Sequence, residues 1–162
     1  MADSELAGEE KVKSDALRLL SVRPRSVEEL RGRLKLKKHS ADAIETVLDL
    51  FKKQGLLDDE KFSRLWAGSK TMARPVGKKQ LEMDLKKKGV SSSIIEETLS
   101  NLTDYDEKEA VRKLVTARFR RMEGLPAEKK KARLFGFLKR RGFSSDAIFT
   151  VLDELVKEQN ES

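Results

Sequence analysis

A handful of residues in this 162-residue chain have types and spacing suited to chemistry. Asp58 and Asp59 are adjacent carboxylates that could share a proton or a cation. His39, the single histidine, could act as a general base. Gly77-Lys78-Lys79 has the outline of a phosphate-binding loop, and Trp66 offers a flat face to a nucleotide base. The elements that must carry these residues give each a simpler role. Asp58 and Asp59 stand where a helix needs an N-terminal cap. His39 fills a slot that Val90 and Phe143 occupy elsewhere in the chain, a half-buried packing position. The Gly-Lys-Lys run lacks the upstream glycine of a Walker loop. Trp66 follows Phe62 by one helical turn, as a core anchor does. There is no cysteine, which excludes disulfides, zinc–thiolate sites and thiol nucleophiles. No nucleophile, base and oxyanion hole can be assembled, so neither catalysis nor a metal or cofactor is expected.

The elements follow from a pattern that occurs three times. His39-Ser40-Ala41-Asp42-Ala43-Ile44, Val90-Ser91-Ser92-Ser93-Ile94-Ile95 and Phe143-Ser144-Ser145-Asp146-Ala147-Ile148 align, and their isoleucines lie 51 and 53 positions apart. Ser40, Ser91 and Ser144 are natural N-caps, because a hydroxyl can accept from an unpaired amide of the first helical turn. The residue before each cap and the isoleucine four after it are spaced for a hydrophobic staple. Upstream, Leu30 and Leu34 match Leu81 and Leu85, then Leu134 and Leu138, each pair on one helical face. Ser26 with Glu29 forms a capping box, and Gly89 and Gly142 end the second and third of these helices. One further helix precedes each pair, over about Asp15–Val22, Asp59–Ala73 and Asp106–Arg121. Their anchors are Leu17 and Leu20, Phe62 with Leu65 and Trp66, and Ala110 with Leu114; Asp58 or Asp59 and then Asp104 supply caps.

An all-α fold follows, with three tandem three-helix repeats forming an elongated, curved body. The expected boundaries are a flexible acidic tail over 1–13, repeats over 14–57, 58–103 and 104–158, and a short tail over 159–162. No stretch reaches the roughly 18 apolar residues of a membrane span, and the N-terminus lacks the apolar core of a signal peptide. A cytoplasmic monomer with no membrane contact is the expectation.

Net charge is +7, and it is distributed by helix. Residues 11–41 carry +7 and residues 42–60 carry −4; residues 70–88 carry +5 and 89–111 carry −5; residues 112–142 carry +10 and 143–162 carry −4. The middle helix of each repeat is therefore basic and the last acidic. Pairing between them could absorb part of this charge, each exposed pair contributing about 0–1 kcal/mol. The excess in the third repeat points instead to a phosphate backbone. Candidate contacts are Arg74, Lys78, Lys79, Lys86, Lys87 and Lys88 in the second repeat. The third repeat adds Arg118, Arg120, Arg121, Lys129, Lys130, Lys131, Lys139, Arg140 and Arg141. Few aromatics are interleaved, which favours backbone contact over base stacking.

Four segments resemble the RecX family of regulatory proteins. Gly55-Leu56-Leu57-Asp58-Asp59-Glu60-Lys61-Phe62 is similar to that family's junction between first and second units. Ser26-Val27-Glu28-Glu29-Leu30-Arg31-Gly32-Arg33-Leu34 resembles its Ser-x-x-Glu-Leu-x-x-x-Leu helix. Gln80 to Val90 and Leu138-Lys139-Arg140-Arg141-Gly142-Phe143 resemble its later segments, in order, so that the likeness spans about Ser14 to Lys157. Two departures stand out: Arg74-Pro75-Val76-Gly77 replaces a Gly-Pro before the central helix, and Lys38-His39 replaces a Gly-hydrophobic pair. The resemblance implies a modulator of RecA that binds in the groove of the RecA–DNA filament and suppresses ATPase and strand exchange. It implies RecA and single-stranded, with double-stranded, DNA as partners, and no catalytic residues. Two other classes fit the residues: a helix-turn-helix protein reading duplex DNA, and a repeat scaffold that binds another protein.

Overall fold

The computed structural model describes residues 2–161, which form nine α-helices and no strand among the described residues. They are α1 (Ala2–Val22), α2 (Val27–Leu36), α3 (Ala41–Lys53), α4 (Asp59–Ala73), α5 (Lys78–Lys87), α6 (Ser92–Ser100), α7 (Glu107–Arg121), α8 (Ala127–Arg140) and α9 (Ser145–Asn160). The local signals act where the sequence placed them. Ser26 and Glu29 close a complete capping box on α2, and the Ser40 and Ser144 hydroxyls accept from the Ala43 and Ala147 amides. Ser91 differs: its carbonyl accepts the Ile95 amide, but its hydroxyl meets that of Ser93 at 3.3 Å.

Three expectations need correction. The first helix starts at Ala2, not near Asp15, so a helix occupies the stretch expected as a flexible tail through residue 13. Its core contacts are Val12 and Ala16, both fully buried, while Leu17 is exposed; the buried stripe begins upstream of the leucines. Leu65 is likewise exposed, so Phe62 is the buried anchor of α4. The cap of α7 is Asp106, which accepts from Lys108 and Glu109, rather than Asp104.

Packing divides the chain into two units: Met1–Trp66 with Leu85–Thr98, and Ala67–Asp84 with Leu99–Ser162. The core of the first joins Val12 and Ala16 of α1, Leu30 and Leu34 of α2, and Ile44, Val47, Leu48 and Phe51 of α3, with Leu57. In the second, Ala110, Val111, Val115 and Phe119 of α7 meet Leu134 and Leu138 of α8, Phe143, and Ala147, Ile148, Val151, Leu152 and Leu155 of α9. The division cuts α4, α5 and the end of α6, so the second repeat contributes part of itself to each unit.

Candidate functional site

Within the first unit, the start of α2 receives a turn and a carboxylate from the second repeat. The Ser26 hydroxyl accepts from the Glu29 amide and donates to the Lys88 carbonyl at 2.6 Å. Asp59 does not cap its own helix; its carboxylate accepts from the Val27 amide at 2.9 Å, and Asp58 caps α4 by accepting from Lys61. Gly89, at φ 74°, lies so close to α2 that a Cβ there would stand 2.4 Å from Glu28 Cβ. Glu29 also binds Lys88 Nζ at 2.7 Å and Arg23 at 3.1 Å. Burial alone would raise the Glu29 pKa, but the hydrogen bonds from Arg23, Lys88 and the Ser26 amide outweigh it and bring it down to about 2.

The second unit repeats this joint one repeat later. Gly77, 51 positions after Ser26, donates its amide to the Arg141 carbonyl at 2.9 Å. Glu107 takes the part of Asp59, accepting from the Lys78 amide at 2.7 Å and also from the Ser144 amide at 3.2 Å. Two helix starts thus share one carboxylate, the charge a helix N-terminus favours. Gly142, at φ 80°, takes the part of Gly89: a Cβ there would stand 2.4 Å from the Gln80 amide nitrogen. Gly77 is as confined, its Cβ position lying 2.0 Å from the Gly142 carbonyl carbon. The half-buried Tyr105 completes the joint, its hydroxyl donating to the Val76 carbonyl at 2.7 Å, and desolvation pushes its pKa up to about 12.

Fifteen basic residues were expected to face a polyanion, and the structure separates them. Lys130 is corrected outright: it is 2% exposed, its ammonium 4.8 Å from the Phe119 ring centroid and 3.1 Å from Gln159 Oε1. Lys88 is spent internally, pairing with Glu29 and standing 4.1 Å over the Trp66 ring. Trp66 itself is a packing residue stacked on Phe62, with centroids 6.0 Å apart. Lys131 pairs with Asp153 at 2.7 Å, part of an internal pairing between basic and acidic helices that also joins Arg31 to Glu45 and Arg112 to Glu154. Lys139 reaches the Ser145 hydroxyl at 3.2 Å. Arg74, Lys79, Lys86, Lys87, Arg118, Arg120, Arg121, Lys129 and Arg140 are exposed, while Lys78 and Arg141 are half-buried. His39 is also half-buried, its Nε2 2.8 Å from Asp15, which is a structural contact.

Aromatic support for the arginines was not foreseen. Phe137 of α8 lies beneath both Arg118 and Arg141, at 4.5 and 5.0 Å from guanidinium carbon to ring centroid. The sequence shows Phe135 and Phe137 between basic runs, a spacing that could have flagged such a platform.

Models of the first, second and third three-helix domains of RecX match residues 13–49, 58–99 and 105–152, in that order. This chain belongs to the RecX family. Regulatory protein RecX of Streptomyces lividans is 32% identical over 152 residues, covering 94% of this chain and 81% of that protein. Regulatory protein RecX of Chlorobium phaeobacteroides is 35% identical over 142 residues, covering 88% and 91%. The crystal structure of RecX from Lactobacillus salivarius has a TM-score of 0.85 at 24% identity, covering 96% of this chain and 98% of that one; it is the same all-α repeat fold. In these terms Asp59 and Glu107 stand at the entrances of the second and third RecX domains, and Gly89 and Gly142 at their middle turns. The first RecX domain has Lys38 at the matching turn, with φ 62°. The conformation is the same in all three domains, but Lys38 is exposed, whereas Gly89 and Gly142 each lie against a helix of the preceding domain. A side chain is therefore tolerated there.

Proposed function

We propose that this chain binds the RecA–DNA filament and suppresses RecA's ATPase and strand exchange. Membership of a family of regulatory proteins carries the reading. The distribution of basic side chains supports it: after internal pairing is counted, Arg118, Arg120, Arg121, Lys129 and Arg140 remain exposed on one repeat. Such groups meet phosphates by releasing counter-ions, a contact that is additive along a backbone and indifferent to base order. The doubled joint supports a binding role too, since it fixes successive repeats through backbone groups and leaves outer side chains to the partner. Regulation by a non-enzyme also suits a molecule whose carboxylates cap helices. DNA, single-stranded in the filament and with duplex as a further ligand, is the second partner in this reading.

The test is the DNA-dependent ATPase of RecA on single strands, titrated with the full chain at two salt concentrations. Progressive inhibition that weakens at the higher salt is expected. An unchanged ATPase rate at saturating protein would refute the reading.

A further inference from the structure

Three arginines of the second unit gather where nothing neutralises them. Arg118 of α7 and Arg141, just after α8, each hold a guanidinium over the Phe137 ring. Arg141 is fixed a second time by donating to the Pro75 carbonyl at 3.1 Å, next to Arg74 in the chain. Arg74 and Arg118 are exposed, and among the described residues no carboxylate forms an ion pair with any of the three. Burial, then the like charges of Arg74 and Arg118, lower the pKa of Arg141, which places its guanidinium within reach of both other charges.

The setting selects the chemistry of a ligand. Gathering like charges is costly to a folded chain unless an anion offsets them. Guanidinium groups present planar, multiple donors that match phosphate oxygens. Arg121, one helical turn after Arg118, and Arg140, beside Arg141, are exposed as well, so the positive charge continues past the cluster as a track. A track suits a polymer of phosphates better than one small anion. Protein partners are usually gripped by an aromatic or apolar anchor entering a pocket. Here the aromatic ring is already covered by two guanidiniums, which leaves it available neither to a protein anchor nor to a stacked base.

We propose that Arg74, Arg118 and Arg141 form a phosphate-binding site for a nucleic-acid backbone, with Phe137 as the positioning residue that holds two of the guanidiniums. The site deepens the reading above and rests on its DNA contact, though not on RecA.

The experiment uses the full chain without RecA and follows fluorescence anisotropy of a labelled oligothymidylate across a salt series. Replacing both exposed arginines (Arg74→Gln with Arg118→Gln) should weaken binding about tenfold or more and flatten the log–log salt slope by roughly 1.4, the loss of two single-strand phosphate contacts. Lys113→Gln serves as control, because Lys113 is exposed on the same helix but pairs with Glu109 at 3.6 Å; less than a twofold change is expected on the scale of a weak surface pair. Phe137→Leu leaves every charge in place, so it should weaken binding while the salt slope holds, with the circular dichroism spectrum and urea midpoint at their unmodified values to exclude general loss of structure. Wild-type affinity and slope in the double variant would overturn the site. So would failure of the unmodified chain to bind the oligonucleotide, and so would displacement by polyglutamate as readily as by unlabelled oligonucleotide. If arginine-dependent binding is found but RecA's ATPase is untouched, the filament reading alone fails.

Discussion

Gly89 and Gly142 allow a direct separation of two effects that glycine substitutions usually confound. Each has a left-handed backbone, and each also lies against the helix of the preceding repeat. Lys38 has the same backbone, φ 62° against 74° and 80°, and its side chain is exposed. The difference in stability between Lys38→Ala and Lys38→Gly therefore measures the left-handed conformation alone, about 1–2 kcal/mol. At Gly89 an alanine adds contact at 2.4 Å with Glu28 Cβ, and at Gly142 contact at 2.4 Å with the Gln80 nitrogen. Neither neighbour is the free end of a flexible side chain, so a helix must move, at about 1–3 kcal/mol for overpacking. Gly89→Ala and Gly142→Ala should thus each cost about 2–5 kcal/mol in total. For a chain of this size that is a melting shift on the order of 4–20 °C. Urea unfolding of the four variants, followed by circular dichroism, supplies the comparison. If Gly89→Ala and Gly142→Ala cost no more than the difference between the two Lys38 variants, the close approach is not what demands glycine.

Two further outcomes follow from the charged groups. Glu29 has a folded pKa of about 2 against an ordinary value of 4.5; its contribution is therefore full above pH 4.5 and fades as pH falls toward 2. Stability should lose up to about 3 kcal/mol over that window through this group, and Glu29→Gln should remove that part of the acid slope in urea titrations at stepped pH. Lys130→Met replaces a buried ammonium with an apolar chain of similar length, so stability should hold or rise by about 1–4 kcal/mol. Oligonucleotide affinity should be unchanged, and a marked loss would mean that Lys130 reaches solvent after all.

Local signals were legible in the sequence because their partners are close in the chain. Ser26 with Glu29, the caps at Ser40 and Ser144, the leucine pairs and the turn glycines all act within a few residues, and all stand where spacing placed them. What escaped was long-range. Asp59 looks like a cap of its own helix and Glu107 like an ordinary first-turn acid, yet they serve amides 32 and 29 residues upstream, at Val27 and Lys78. No local pattern encodes such a partner. The basic candidates show the same limit: counting charge gave Lys88 and Lys130 equal standing with Arg120, although aromatic rings hold both ammonium groups inside. One clue was present. Lys130 aligns with Ser26 and Gly77, the two positions that receive the following repeat, so it was never equivalent to an open surface site. The extent of α1 was hidden because Val12 and Ala16 stand upstream of a more conspicuous leucine pair, Leu17 and Leu20.

The joint between repeats has two halves, a receiving helix start and a donated turn, and a chain that carries both could add copies of itself without end. Head-to-tail contacts of that kind generate open fibres when nothing closes them. The first repeat also carries such a turn and the third such a helix start, and both differ from the joined ones. Lys38 puts a Cβ where Gly89 and Gly142 allow none. At the other end α8 begins a turn early, so Lys130 at the receiving position already gives its amide to Pro126. Lys38 and Lys130 thus set the first repeat's turn and the third repeat's helix start apart from the two joints between repeats.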